Sequence, residues 1–303
     1  MEHIIVDFAY LYYKYKYTIA SGRIRRLSAK VAVEKEQGLV DTKEVDISNI
    51  YYPLREIEGF RREAEKRGNK VIMSICMDAP SMKKESNAEY KSNRTSKLND
   101  DDFTNIGIIS RLLEKAGHNV YKITGYEADD IVANLVRLYG DRFDRNIIYT
   151  PDTDMLALVN DNVYVSRYKA GKGYTLIGKY NYEQVCQNEF KCNIPYNAIL
   201  LYKVLCGDKS DNIKGIKGFG PAAFNNLVNE LNGKVDWTMM GHVDYVKKII
   251  ESIFTGQQLK EASEALGMVG FMQLDGLTSP TRMSDKHLRM ESYGEYNMKS
   301  LIE

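Results

Sequence analysis

The chain has 303 residues, 44% of them hydrophobic, which is enough for one large α/β domain, or a domain with a satellite, around a real core. Its 42 Lys and Arg against 41 Asp and Glu leave a net charge of +1, which excludes bulk attraction to a polyanion, so only local charge clusters could reveal one. Cys76, Cys186, Cys192 and Cys206 form no C-x-x-C pair, which argues against zinc and for free thiols, while the charged start and the lack of a membrane-length apolar run lead us to expect an intracellular protein without a signal peptide.

In chain order, short apolar runs at Ile4–Val6, Val71–Met77, Asn119–Ile123 and Asn146–Tyr149 read as buried strands. Helical patterns separate them. Tyr51–Lys66 is amphipathic and stops at Gly68. Phe103–Ala116 puts Phe103, Ile106, Ile109 and Leu113 on one face, and Ala128–Leu138 packs Ile131, Val132 and Leu135. This alternation predicts a mostly parallel sheet covered by helices on both faces. Arg25–Ser48 reads as a β-hairpin or an irregular insertion. Residues 79–102 are polar and too long for an ordinary connection, so they read either as a disordered loop or as a mobile functional one. Beyond about residue 180 only helices are expected, at Tyr196–Cys206, Pro221–Leu231, Val243–Phe254 and Gln257–Leu266. The predicted organisation is therefore an α/β domain over 1–180 and a helical subdomain over 181–303.

The acidic residues fall where these strands end. Asp7 ends the first and Asp78 the second. Glu127, Asp129 and Asp130 follow the third, and Asp152 and Asp154 the fourth. Parallel strands share one C-terminal edge, so groups far apart in sequence would meet there. Any one Asp in such a place reads first as a helix cap, and Glu127, Asp129 and Asp130 fit a helix's first turn. The coincidence at four strand ends favours a metal site instead. Clustered carboxylates repel one another unless cations lie between them, and carboxylate oxygens are what Mg²⁺ and Mn²⁺ prefer. Two such ions can activate water and stabilise the leaving oxygen of a phosphodiester.

A second cluster holds Asp208 and Asp211, just before a glycine-rich turn with Gly215, Gly218 and Gly220, then Pro221. Such a turn joins two helices and offers backbone N–H groups to phosphate, with Lys214 and Lys217 adding charge. An ordinary helix–turn–helix is the plainer alternative, but its place directly after two more carboxylates favours binding of a duplex backbone. Basic residues form two further sets. Lys14, Lys16, Arg23, Arg25, Arg26 and Lys30 occur with no acid between Asp7 and Glu34, and Lys83, Lys84, Lys91, Arg94 and Lys97 lie in the long loop. Beside an acidic metal site they would hold phosphates, and Tyr90 could stack on an unpaired base. Either set could equally be solvated surface.

The ordered segments IIVDF, CMDAP, EYKSNR, YEADD, TPDTD and GDKSDN…GIKGFG resemble the phage 5′-nucleases, of ribonuclease H and flap-endonuclease type, over nearly the whole chain. The resemblance implies a PIN-like central sheet, a helical arch at about 79–102 and a helix-three-turn-helix element at about 196–231. It places Asp7, Asp78, Glu127 and Asp129, with Asp130 alongside, around a first Mg²⁺. Asp152, Asp154 and Asp211, with Asp208 nearby, go to a second. Lys91 and Arg94 match arch residues on the scissile phosphate, Lys14 and Lys16 a basic pair after the first strand, and the Gly215–Gly220 hairpin a turn that can hold K⁺. The implied partners are branched or 5′-ended DNA and RNA–DNA hybrids, with a sliding clamp or single-strand-binding protein as replication partners. The implied protein is a monomeric, free-standing, phage-encoded nuclease in a bacterial cytoplasm.

Phe8 departs from the pattern, since many relatives carry Gly there. It would narrow the site or stack on a base. Rival readings are a PIN-type ribonuclease, a Mg²⁺-dependent phosphatase, and a branched-DNA-binding protein without catalysis. The GIKGFG turn argues against the ribonuclease, and the phosphatase would need neither that turn nor the arch. The intact acidic set argues against the DNA-binding protein.

Overall fold

The computed structural model describes residues 1–34, 40–80, 98–210, 212–241 and 243–269. Its centre is a six-stranded sheet of β1 (Glu2–Asp7), β4 (Val71–Met77), β5 (Asn119–Lys122), β6 (Arg145–Tyr149), β7 (Val163–Lys169) and β8 (Gly173–Ile177). The spatial order is β5-β4-β1-β6-β7-β8. All pairs are parallel except β7 with β8. β1 is the axis of the sheet, pairing Ile4 with Met73 on one side and with Ile147 on the other. Among the described residues, no helix is long and apolar enough to cross a membrane.

Alternate side chains of each strand enter opposite cores. Ile4 and Val6 join Met73, Met77 and Ile147 under α1 (Phe8–Ala20), α2 (Ser48–Lys66) and α3 (Asp100–Lys115). Ile5, Cys76 and Ile148 face α4 (Ala128–Tyr139) on the other side. That second core runs on into α5 (Tyr182–Phe190), α6 (Ile199–Cys206), α7 (Pro221–Leu231), α8 (Val243–Ile253) and α9 (Gly256–Val269). The helical C-terminal part therefore docks on the sheet through shared apolar packing, with Leu205, Phe224 and Ala262 in the same cluster as Val165. Shared burial of this kind fixes the relative placement of the two parts.

The four expected strands are present, and residues 25–48 do contain a hairpin, β2 (Ser28–Glu34) with β3 (Val40–Asp46). α1 replaces the unassigned tyrosine run. Phe8, Leu11, Tyr12 and Ile19 are its buried stripe, so Phe8 is core beneath the helix and neither narrows the site nor stacks on a base. The expectation for Phe103 also fails, because its side chain is 55% exposed. It lies six residues before Ile109, about 120° round the helix, and α3 buries Asp102, Ile109 and Leu113 instead. This helix opens on an Asn99–Asp102 capping box, with reciprocal backbone-to-side-chain bonds of 2.9 Å. The arch residues Lys83, Lys84, Tyr90, Lys91 and Arg94, as well as Asp211 and the tail from 270, lie outside the described residues.

Candidate metal centre and duplex-binding turn

β5, β4, β1 and β6 are adjacent in the sheet, and each ends toward the same edge. That single fact brings Glu127, Asp129, Asp130, Asp78, Asp7, Asp152 and Asp154 to one place. Asp7 terminates β1, and the Thr150 hydroxyl donates to its Oδ2 at 2.9 Å. The Asp152 N–H donates to Thr150 Oγ1 at 3.1 Å, and the Asp154 N–H to Asp152 Oδ1 at 3.0 Å. Across the sheet, Asp78 Oδ1 accepts from the Ala128 N–H at 2.8 Å, linking the end of β4 to the first turn of α4. Asp130 is buried and accepts from the Glu127 N–H at 3.1 Å, so it caps the helix as well as facing the cluster.

Glu127, Asp129 and Asp130 each place a carboxylate oxygen within 4.8 Å of the others, the spacing of a shared cation. The electrostatics agree. Burial first, and then the charges of Asp78, Asp152 and Asp129, together push Asp7 up from an ordinary 3.8 to about 7, against the Thr150 hydrogen bond. Three of the seven carboxylates come from the start of α4 and four from the ends of β1 and β4 and the segment after β6. The fold therefore concentrates negative charge that protons or bound cations can balance.

Asp154 has a different setting. It is buried, and its carboxylate contacts the Lys203 ammonium, which also lies 2.6 Å from Asp208 Oδ2. Burial pushes Asp208 up, but the Lys203 charge and bonds from Lys203 and Ser210 outweigh it and hold the carboxyl below its ordinary range. Sequence reasoning missed both Lys203 and Thr150. The signal for Lys203 was a lone Lys inside the apolar run Ile199–Cys206, because a buried ammonium needs anionic partners.

Asp208 also starts the glycine turn. It pairs with Ile213 in a two-way antiparallel bridge of 2.8 Å bonds. Gly215 has φ +66°, and a Cβ there would lie 2.4 Å from the Gly207 nitrogen. Close backbone contact is thus what this glycine permits. Pro221 opens α7 after Gly220. Lys214, Lys217 and Gly218 are exposed and Gly220 is half-buried. Further N–H groups of the turn are used internally: Ile216 donates to the Leu205 carbonyl, Phe219 to the Ile216 carbonyl, and Lys217 to Glu261 Oε2 at 2.9 Å.

The basic pair on α1 is engaged within the protein. Lys14 bonds both Glu56 oxygens, at 2.6 and 2.9 Å, and lies 3.9 Å from the Tyr168 ring centre. Lys16 bonds Asp102 Oδ2 at 2.5 Å.

Comparison with known proteins adds a lineage. Residues 4–189 match the family model described as 5′-3′ exonuclease, N-terminal resolvase-like domain. A 5′-3′ exonuclease of Mycoplasma pneumoniae is 28% identical over 236 residues, covering 77% of this chain and 79% of that protein. Among solved structures, a zinc-bound T5 5′-exonuclease has a TM-score of 0.60 at 17% identity, covering 92% of this chain and 90% of its own. The bacteriophage T5 flap endonuclease, in a pseudo-enzyme–product complex with DNA and metal ions, has a TM-score of 0.61 at 17% identity, covering 95% and 97%. At that identity the two structures establish the shared fold.

Proposed function

The chain belongs to the 5′-3′ exonuclease family, and from that premise we propose that it is a structure-specific, divalent-metal-dependent 5′ nuclease acting on 5′ flaps of DNA and on RNA primers paired to DNA. The observation that carries this reading is the convergence of seven carboxylates on one sheet edge, with Asp7 pushed to about 7 by burial and by its neighbours. An all-oxygen, strongly anionic donor set suits Mg²⁺, with Mn²⁺ as a substitute. Asp7, Asp78, Glu127, Asp129 and Asp130 would hold a first ion. Asp152, Asp154 and Asp211, with Asp208 nearby, would serve a second. Bound there, divalent ions supply Lewis-acid activation of water and stabilise charge on the phosphodiester oxygens.

The chain's own groups prepare that edge. The Thr150 hydroxyl and the Asp154 and Ala128 N–H groups orient Asp7, Asp152 and Asp78, so little reorganisation is left for the reaction. Lys91 and Arg94, matched to the family's arch by their sequence alone, would steady charge on the scissile phosphate. Exposed Lys214 and Lys217 on the rigid glycine turn would grip duplex phosphates without reading sequence. K⁺ at the turn's carbonyls, replication partners and phage origin belong to the same reading.

The test is cleavage of end-labelled 5′-flap DNA and RNA–DNA hybrid, by wild type and Asp152→Asn, in Mg²⁺ and in EDTA. Products at the junction or 5′ end, dependent on Mg²⁺ and lost in the variant, are expected. Binding without cutting, in Mn²⁺ as well, would refute the nuclease assignment.

A further inference from the structure

The Lys203 ammonium is almost wholly buried, at 3% exposure, between two carboxylates that come from different parts of the fold. Asp154 lies just past β6, at the sheet's carboxylate edge, whereas Asp208 begins the glycine turn. Asp208 is further held by the Ser210 N–H at 2.8 Å and the Ser210 hydroxyl at 2.6 Å. An ammonium offers three donors in a compact, strongly hydrated charge, so its burial is tolerable only where anions replace the lost water. Both carboxylates gain what a divalent ion would otherwise give them, a positive charge at contact distance. The same ammonium would repel any ion entering beside it, because screening is weak in a buried site.

We propose that Lys203 is a built-in counter-ion for this half of the site. It holds Asp154 and Asp208 together without metal, locks the glycine turn to the sheet edge, and makes the pair a poor ligand set. The proposal rests on the nuclease reading above. It implies that the chain alone binds one divalent ion strongly, at the Asp7, Asp78, Glu127, Asp129 and Asp130 side, and a second at least about tenfold more weakly. Lys203 is then a positioning residue, acting through the two carboxylates.

The experiment is Mn²⁺ titration of the full chain without nucleic acid, followed by calorimetry and by the electron paramagnetic resonance of free Mn²⁺, for wild type and Lys203→Gln. Wild type should show one strong ion and one at least about tenfold weaker. The variant should bind the second ion about tenfold or more tightly than wild type does. It should also unfold at lower urea in EDTA and recover most of that loss in Mn²⁺, a recovery that a purely structural lysine would not give. Two ions of equal affinity in wild type, or an unchanged second affinity in the variant, overturns the proposal and leaves the nuclease reading standing. No Mn²⁺ binding by wild type overturns both. Should Lys203→Gln fail to fold, the wild-type titration alone decides.

Discussion

Asp7→Asn tests the claim that the metal edge is held together against its own charge. In the metal-free protein, Asp7 carries a carboxyl raised from 3.8 to about 7 by burial and by Asp78, Asp152 and Asp129. A carboxyl raised in the folded state binds its proton more tightly there than in the unfolded chain. Its stabilising contribution is complete below about pH 4 and is lost as pH rises to about 7. The full shift is worth at most about 4 kcal/mol, and solvent at the site's mouth reduces this to roughly 2–4 kcal/mol. Asparagine keeps an oxygen to accept from Thr150 and carries no charge. Urea unfolding in EDTA at several pH values should show wild type weakening between pH 4 and 7 more steeply than the variant. At pH 8 the variant should be the more stable by that margin. Mg²⁺ should then stabilise wild type more than Asp7→Asn. A variant equal to or weaker than wild type in EDTA at pH 8 would refute the reasoning.

Other substitutions separate the remaining roles. Gly218→Ala, with φ +78° and nothing within 4 Å of the added methyl, should cost about 1–2 kcal/mol, whereas Gly215→Ala, whose methyl meets backbone, should cost roughly twice that and weaken duplex binding. Thermal melts and filter binding of a hairpin duplex would check the pair, and equal costs would remove the packing argument. Lys14→Ala leaves half-buried Glu56 with the Tyr174 hydroxyl but without its ammonium, and should cost about 2–4 kcal/mol while leaving the salt dependence of DNA binding unchanged. A shallower salt slope would instead make Lys14 a phosphate contact. His3, pushed down to about 4 by burial against its bond to Asn146, stays neutral in the fold. Its contribution is present above pH 6.5 and fades as pH falls to about 4, by at most about 3 kcal/mol, and His3→Gln should flatten that part of an unfolding-versus-pH curve.

The parts of the fold that could be read in advance are those where burial is continuous along the chain. β1, β4 and β6 lie inside the sheet with apolar stretches buried on both faces, so they appear as short apolar runs, and their ends locate carboxylates directly. β7 and β8 were not anticipated because residues such as Arg167 and Lys169 interrupt their apolar positions at the antiparallel flank. α1 was hidden because tyrosine satisfies strand and helix patterns alike, and only the buried spacing of Phe8, Leu11 and Tyr12 decides between them. The candidate site was legible where one residue type recurs at equivalent strand ends. It was not legible where function depends on distant pairing. Nothing near Lys14 or Lys16 in sequence points to Glu56 or Asp102, and nothing near Asp154 points to Lys203.

The central position of β1 also shapes how the chain must come to be folded. The first of the sheet's six strands in the chain has no complete place until β4 and then β6 flank it, the last of these ending at Tyr149. At a synthesis rate of about 5–20 residues per second, that interval is on the order of ten seconds. Until β4 is made both hydrogen-bonding edges of an apolar strand lack their final partners, one edge lacks its partner to the end of the interval, and Asp7 waits for the Thr150 hydroxyl. A nascent chain stalled before β6 therefore carries Asp7, Asp78, Glu127, Asp129 and Asp130 but lacks Thr150, which orients Asp7, and Asp152, so its carboxylate edge is left unfinished.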